Sequence, residues 1–277
     1  MINYTQMAMA LGITTVVSTV AVAAGNTIDD THYFRLGVLS QTADITVQST
    51  VDPRPPIEID LIDDLGMDDK GESFQLYYRW RFADKWSLGV TYQRLELDGN
   101  GEAAFDFNFD GKSYTTGAAV ETDFSMDTYL VDLGYSIVRN DKWEVTVGAG
   151  LHAFDFEAVI AGTIGIEGGA DSTVQNTTRA AADVLAPLPN LRGGLTYLIT
   201  PRWEVKAGGG WLSLEIDDID GSYTYVNIST EYRFTDRFGL GAAYQIAKMD
   251  VTSTNSNGLD KLDAEFAGPS IYLSYGF

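Results

Sequence analysis

Four segments of this chain share one layout: an alternating run, a short polar turn, and an aromatic that opens the next alternating run. They read YYRWRF-ADK-WSLGV (77–90), LGYSIV-RNDK-WEVTV (133–147), LTYLI-TPR-WEVKA (195–207) and TEYRF-TDR-FGLGA (230–242). Turns of a few residues join antiparallel strands tightly, so each segment predicts a hairpin. Successive side chains of a strand point to opposite faces. One face then collects Phe74, Leu76, Tyr78 and Trp80; Trp86, Leu88, Val90 and Tyr92; Tyr129, Val131, Leu133 and Tyr135; and Phe238, Leu240, Ala242, Tyr244 and Ile246, with no charge. The other collects Gln75, Arg79, Arg81, Thr91, Gln93 and their counterparts, with many glycines.

The last residues repeat the pattern, with Pro269, Ile271, Leu273, Tyr275 and Phe277 on one face and Ser270, Tyr272, Ser274 and Gly276 on the other. Termini of soluble domains usually fray in water, whereas a closed sheet in lipid needs an apolar outer band around a polar interior. Together with the four hairpins, this ending resembles the small outer-membrane β-barrel proteins of Gram-negative bacteria, many of which close on a strand whose terminal Phe or Trp is read by the assembly machinery. The resemblance implies an all-β fold: an antiparallel transmembrane β-barrel of about ten strands, with eight as the alternative if one hairpin is loop. It further implies an outer-membrane location, short periplasmic turns and long acidic extracellular loops. Outer-membrane lipid, lipopolysaccharide and the barrel-assembly machinery are the partners it implies.

Strands are expected near 32–48, 72–83, 86–97, 123–138, 143–157, 188–199, 203–216, 222–234, 237–251 and 266–277, the first pairing with the last. Residues 8–23 form an apolar run ending in the A-x-A pattern of Ala21 and Ala23, which predicts a signal peptide over 1–23 and a single barrel domain over 24–277. The stretch MINYTQM carries no Lys or Arg, and a buried N-terminal strand or membrane anchor is the competing reading. No other segment approaches the roughly 20 apolar residues of a spanning helix.

Trp80, Trp86, Trp143, Trp203, Phe238 and Phe277 flank the turns and predict an aromatic girdle at one membrane interface. On the polar face, Arg79, Arg81, Asp132, Glu144, His152, Arg192, Glu204, Lys206, Glu231 and Arg233 predict a lumen network, because an unpaired buried charge is costly. A soluble β-sandwich would show the same alternation with inside and outside exchanged; the mixture of Gly, Arg and Glu on the polar face favours a crowded lumen. Changes of phase near Arg94 and after Trp211 predict bulges, or strands rising above the membrane.

The net charge is -21, and the connections opposite the turns (49–72, 98–123, 155–184, 215–220 and 250–265) hold 27 Asp plus Glu against 5 Lys plus Arg. Asp217, Asp218 and Asp220, with Glu215, and the cluster Asp60, Asp63, Asp64, Asp68 and Asp69 offer oxygen ligands of the kind that suits Ca²⁺. EF-hand spacing is absent, and runs of charge ordinarily face water; divalent cations at the loops are an expected partner, nucleic acid is not.

The chain has no cysteine, which removes disulfides and thiolate chemistry. His32 and His152 are its two histidines. A barrel protease of the omptin kind carries Asp-x-His; the one such triplet here, Asp30-Thr31-His32, lies near the expected mature N-terminus, and a phospholipase-like barrel needs a His beside a nucleophilic Ser, whereas Ala153 and Phe154 follow His152. His152 is either a general base oriented by Asp132, Glu144, Glu204 or Glu231, or a satisfied lumen histidine in a polar network. No catalytic residue and no cofactor is expected. The function expected is a non-enzymatic barrel that acts through its loops at the cell surface, or a narrow pore with cations favoured by the field of the rim. An outer-membrane lipid- or peptide-processing enzyme and a soluble secreted β-sandwich binding domain are the alternatives.

Overall fold

The structure, a computed structural model, describes residues 25–49, 57–109, 112–163, 175–182, 188–216, 219–255 and 258–277. The signal-peptide reading over 1–23 lies outside them. In chain order the strands are β1 (His32–Ser49), β2 (Ile57–Asp60), β3 (Lys70–Arg81), β4 (Trp86–Glu102), β5 (Phe107–Phe109), β6 (Lys112–Tyr114) and β7 (Ala119–Arg139). They continue with β8 (Trp143–Thr163), β9 (Gln175–Ala182), β10 (Leu188–Thr200), β11 (Trp203–Ile216), β12 (Ile219–Arg233), β13 (Phe238–Asn255) and β14 (Gly258–Gly276).

Among the described residues, β1, β3, β4, β7, β8, β10, β11, β12, β13 and β14 form one antiparallel ring. The last strand meets the first from Tyr33↔Gly276 to Ser49↔Asp260, and β8 meets β10 from Tyr197↔Trp143 to Leu188↔His152. Through the belt every strand of the ring is thereby paired on both sides, as lipid requires, since it offers backbone groups no partner. The short turns at one end are closed by side chains: Asn140 accepts from Lys142 N and Trp143 N, and Thr200 and Thr235 hydroxyls cap the two turns that follow. That end is the turn end; the opposite end is the crown.

All ten expected strands are present, but several run further into the crown than the sequence predicts. β4 and β7 stay paired up to Glu102↔Ala119, β7 and β8 up to Val120↔Gly162, and β13 and β14 up to Asn255↔Gly258. Much of what reads as acidic loop is therefore strand. Two walls are also made in pieces. β2 pairs with β1 above the level where β3 takes over, and β9 pairs with β8 above β10. Between β2 and β3, residues 61–69 fold inward, turning at Gly66 (φ 71°). Leu65 and Met67 are buried there.

The expected bulges near Arg94 and after Trp211 are not found. Pairing runs unshifted through Arg94↔Asp127 and through Trp211↔Thr224, and the register shifts lie instead at Ser136/Val138 and Leu198/Thr200. What changes at Arg94 is the solvent. Below it, β4 turns Trp86 and Val90 outward and Gly89 inward; above it, Arg94, Glu96 and Asp98 point outward while Leu95 and Leu97 are buried inside. β1 inverts after Val38, β13 after Ile246 and β14 above Pro269, in the residues that precede it, in the same way.

The physical reason is that the outer face must match lipid in the belt and water above it. In the belt a polar interior is tolerated because the apolar side already faces hydrocarbon. Above the belt the charges must face water, and the apolar side chains turn inward to form a core like that of a soluble barrel. The outward run from Phe238 to Ile246 on β13, at about 3.3 Å per residue and a tilt of about 40°, spans roughly 20 Å along the barrel axis. This matches the ~25 Å apolar band of such barrels.

Candidate functional site

The interior has three levels. At the turn end, two charged clusters join strands that are not neighbours. In the first, Arg81 of β3 reaches Glu144 of β8 at 2.7 Å, and the Ser136 hydroxyl donates to the same carboxylate at 2.6 Å. Arg79 lies 3.9 Å from Glu144. In the second, Glu231 accepts from the Tyr33 hydroxyl at 2.5 Å and the Ser274 hydroxyl at 2.6 Å, with Lys206 at 3.5 Å and Arg233 at 3.7 Å. Lys206 also holds Glu204 at 2.6 Å. Higher in the wall, Arg192 of β10 pairs with Asp132 of β7 at 2.5 Å.

All ten residues of the expected lumen network thus point inward. Buried charges persist only when paired and hydrogen-bonded, and each of these carboxylates has a cationic partner, with Glu144, Glu204 and Glu231 also accepting from a hydroxyl. Sequence reasoning missed Tyr33, Ser274 and Arg35 in this network. The alternation of Phe34, Leu36 and Val38 outward could have found Tyr33 and Arg35, which flank Phe34 on the opposite face.

It also missed the segment before β1. Residues Thr27 to Asp30 cross the turn-end mouth. The Thr27 hydroxyl donates to Glu204, Arg233 pairs with Asp30, and Arg79 and Arg139 donate to the backbone oxygens of Thr27 and Ile28. Ile28 is 2 % exposed. Nothing in the alternation of the strands signals this contact, because the segment is not a strand.

The middle level is a polar cavity of about 190 Å³ lined by Arg35, Gln75, Tyr77, Gln93, Arg192 and Tyr225, among others. Above it the third level is apolar: Ala43, Ile45, Leu95, Met126, Phe154, Leu212, Met249 and Phe266 are buried against one another, and Met67 descends from the inward segment to join them. The expectation of a polar inner face therefore holds for the belt and fails for the crown, where the inner face is a hydrophobic core. A second core of Ile59, Leu65, Ala103, Tyr114, Val120 and Ile160 lies under the crown.

His152 sits at the boundary between cavity and apolar level. Its Nδ1 accepts from the Asn190 amide at 2.8 Å, and the rings of Phe154, Tyr223 and Tyr225 surround it at 5.2 to 6.0 Å. The expected carboxylate partner is not there: Asp132 turns to Arg192, Glu144 to Arg81, Glu204 to Lys206, and Glu231 to Tyr33 and Ser274. His32 is on the outer surface, bonded to the Tyr78 hydroxyl at 2.9 Å and packed on Phe277 at 5.0 Å.

The expected girdle residues Trp80, Trp86, Trp143, Trp203, Phe238 and Phe277 are all exposed on the outer face at the turn end. Partner rings hold them: Tyr135 lies 4.9 Å from Trp86, Tyr197 4.3 Å from Trp143, and Tyr275 4.8 Å from Phe238. Of the weak metal candidates, Asp217 and Asp218 lie outside the described residues, and Asp220 is exposed. The Asp60 carboxylate accepts the backbone N–H groups of Ile62 and Asp63, and Asp64 that of Asp60, so both shape the inward turn. Among the described residues no three metal-ligating side chains converge.

No protein-family model and no curated protein sequence matches the chain. Solved structures do. The outer membrane protease OmpT from Escherichia coli superposes with a TM-score of 0.53 at 10 % identity, over 91 % of this chain and 98 % of that one. The outer membrane protein OprG from Pseudomonas aeruginosa gives 0.37 at 11 % identity, over 90 % and 97 %, and the attachment invasion locus protein Ail of Yersinia pestis 0.34 at 11 %, over 87 % and 97 %. With its closed ring of ten strands, apolar belt and aromatic rim, the chain has the fold of the small Gram-negative outer-membrane β-barrels.

Proposed function

We propose that this barrel is a non-conducting, non-enzymatic scaffold that holds a rigid acidic crown above the outer membrane for interaction at the cell surface. The observation that carries the reading is the filled interior. A pore needs a continuous wetted path, and hydrophobic constrictions close pores by dewetting. Here the apolar level formed by Ile45, Leu95, Phe154, Met249 and Phe266 crosses the barrel, and Thr27 to Asp30 occupy its other mouth. An interior that side chains fill is the expectation for barrels of about this strand number. The crown is supported from within by the second core, so its surface is held in a defined shape.

The enzymatic reading finds less support. The first structural neighbour is a protease, but similarity of fold does not carry activity. A general base needs an orienting partner and access to its substrate; His152 faces an amide and three aromatic rings, and His32 faces the belt. Outer-membrane lipid and lipopolysaccharide are the partners that the belt and girdle fit. The outward row of β14 ending in Phe277 is the surface offered to the assembly machinery, and the acidic crown suits divalent cations or cationic surfaces.

Recording from the full chain in planar bilayers tests the proposal. Current indistinguishable from bare bilayer is expected. Reproducible unitary conductance steps, lost on heat denaturation of the same sample, would overturn it.

A further inference from the structure

The charges inside the barrel do not balance. Five inward cations meet five inward carboxylates: Arg79 and Arg81 share Glu144, Arg192 holds Asp132, and Lys206 and Arg233 are matched by Glu204, Glu231 and Asp30. Arg35 is a sixth cation, and among the described residues no carboxylate meets it. Its one polar contact is from Nη2 to Gln75 Oε1, at 3.2 Å, and its Nε has no acceptor. It lines the central cavity.

Arg35 is nevertheless held in place. Its guanidinium lies 4.9 Å from the ring centre of Tyr272 and 5.4 Å from that of Tyr77, contacts of cation–π length. Gln75 is itself anchored, donating to Gln93 at 3.4 Å, which donates to Gln41 at 2.9 Å. A positive charge that is fixed, half-buried and without a counter-charge is a preorganised anion site, because the ordering cost is met before the ligand arrives. The guanidinium fork matches the two oxygens of a carboxylate. Tyr77 and Tyr225 present aromatic surface on either side of the cavity. We infer that the lumen cavity binds one small organic monoanion, a carboxylate on a compact apolar body, through Arg35. The inference is independent of the proposed function, since binding here does not require that ions cross the barrel.

The test is equilibrium dialysis and thermal unfolding of the full chain refolded in detergent over a concentration series of each probe, which removes access to the closed lumen as a variable. The probes are benzoate, its neutral analogue benzamide, and chloride at matched ionic strength. Benzoate is expected to bind one to one and raise the unfolding temperature, with benzamide and chloride at least tenfold weaker. Arg35→Gln should weaken benzoate at least tenfold, whereas Arg94→Gln on the outer wall should leave it unchanged. The inference is overturned if benzamide or chloride binds as well as benzoate, if benzoate does not bind, or if Arg35→Gln binds like the wild type. The comparison of benzoate with benzamide on the unaltered chain decides the matter even if Arg35→Gln does not fold.

Discussion

Removing Glu231 tests whether the turn-end network stabilises the barrel. The side chain of Glu231 is fully buried and accepts from Tyr33 and Ser274 while facing Lys206 and Arg233. In Glu231→Ala two hydroxyls lose their acceptor inside the barrel, at about 1–3 kcal/mol each. Breaking a buried charge pair typically costs about 3–5 kcal/mol. Lys206 keeps Glu204 and Arg233 keeps Asp30, so the lower end of that range, about 3 kcal/mol, is expected. Glu231→Gln leaves one acceptor oxygen and should lose roughly half as much. The exposed pair Arg94–Asp127, 3.1 Å apart on the outer wall, is the control; Arg94→Ala should cost less than about 1 kcal/mol. Urea unfolding of protein refolded in lipid vesicles, followed by heat-modifiable gel mobility, gives the three differences. A loss below 1 kcal/mol in Glu231→Ala, or a loss in Arg94→Ala of equal size, would refute the claim that the inner network and not the outer ion pairs ties the strands together.

Ile228 faces outward near the middle of the belt and Thr224 at its upper edge; Ile228→Arg should destabilise by about 2–4 kcal/mol and Thr224→Arg by at most about 1, as read by the same unfolding. On the crown wall Asp250 and Asp263 are direct cross-strand partners, and the hydrogen bond between their carboxyls raises the affinity of Asp250 for its proton. Its contribution to stability is complete below the unfolded Asp value and is lost as pH rises through the raised folded one. Asp250→Asn should therefore stabilise the protein at pH 7 by about 0.5 kcal/mol, and thermal scans should show the gain vanish in acid, below about pH 4. A Cβ at Gly268 would collide with the Ser40 backbone oxygen, while one at Gly221 would find its nearest neighbour, Asp250 O, at 3.7 Å. Gly268→Ala should cost about 1–3 kcal/mol, and Gly221→Ala should be neutral or slightly stabilising by the same assay.

The ten strands were legible because the aromatics that open them, Trp86, Trp143, Trp203 and Phe238, mark turn after turn, and because alternation assigns faces wherever the solvent does not change. At Arg94 the same alternation left two readings open, a bulge or a strand rising above the membrane, and the second is the one the structure shows. A bulge exchanges the two faces of a strand, and so does the step from lipid to water; Tyr92, Arg94 and Glu96 read alike in either case, and only the pairing with β7 distinguishes them. The turn-end network was legible as a list of inward residues but not as pairs, since which carboxylate meets Arg81 or Lys206 depends on strands far apart in sequence. Asp30 and the inward Met67 belong to segments without periodicity, so no pattern announced them, and Arg139 ends β7 beyond the register shift at Ser136/Val138, where the alternation no longer gives its face.

The exchange of faces at the top of the belt bears on how the barrel reaches its place. Asp44, Glu96, Asp98, Asp123, Asp250 and Glu265 all point outward above the belt, and in a barrel inserted crown first every one of them traverses hydrocarbon before the belt can occupy it. At about 2.5–3.5 kcal/mol for a charge at mid-membrane, the finished cylinder would face a barrier of tens of kcal/mol if it slid through bare lipid. Its strands must instead travel with their tips screened from the acyl chains, along a wet seam or a locally thinned bilayer. For insertion crown first, the acidic tips that end in water set the cost of crossing, while the greasy belt only determines where the journey stops.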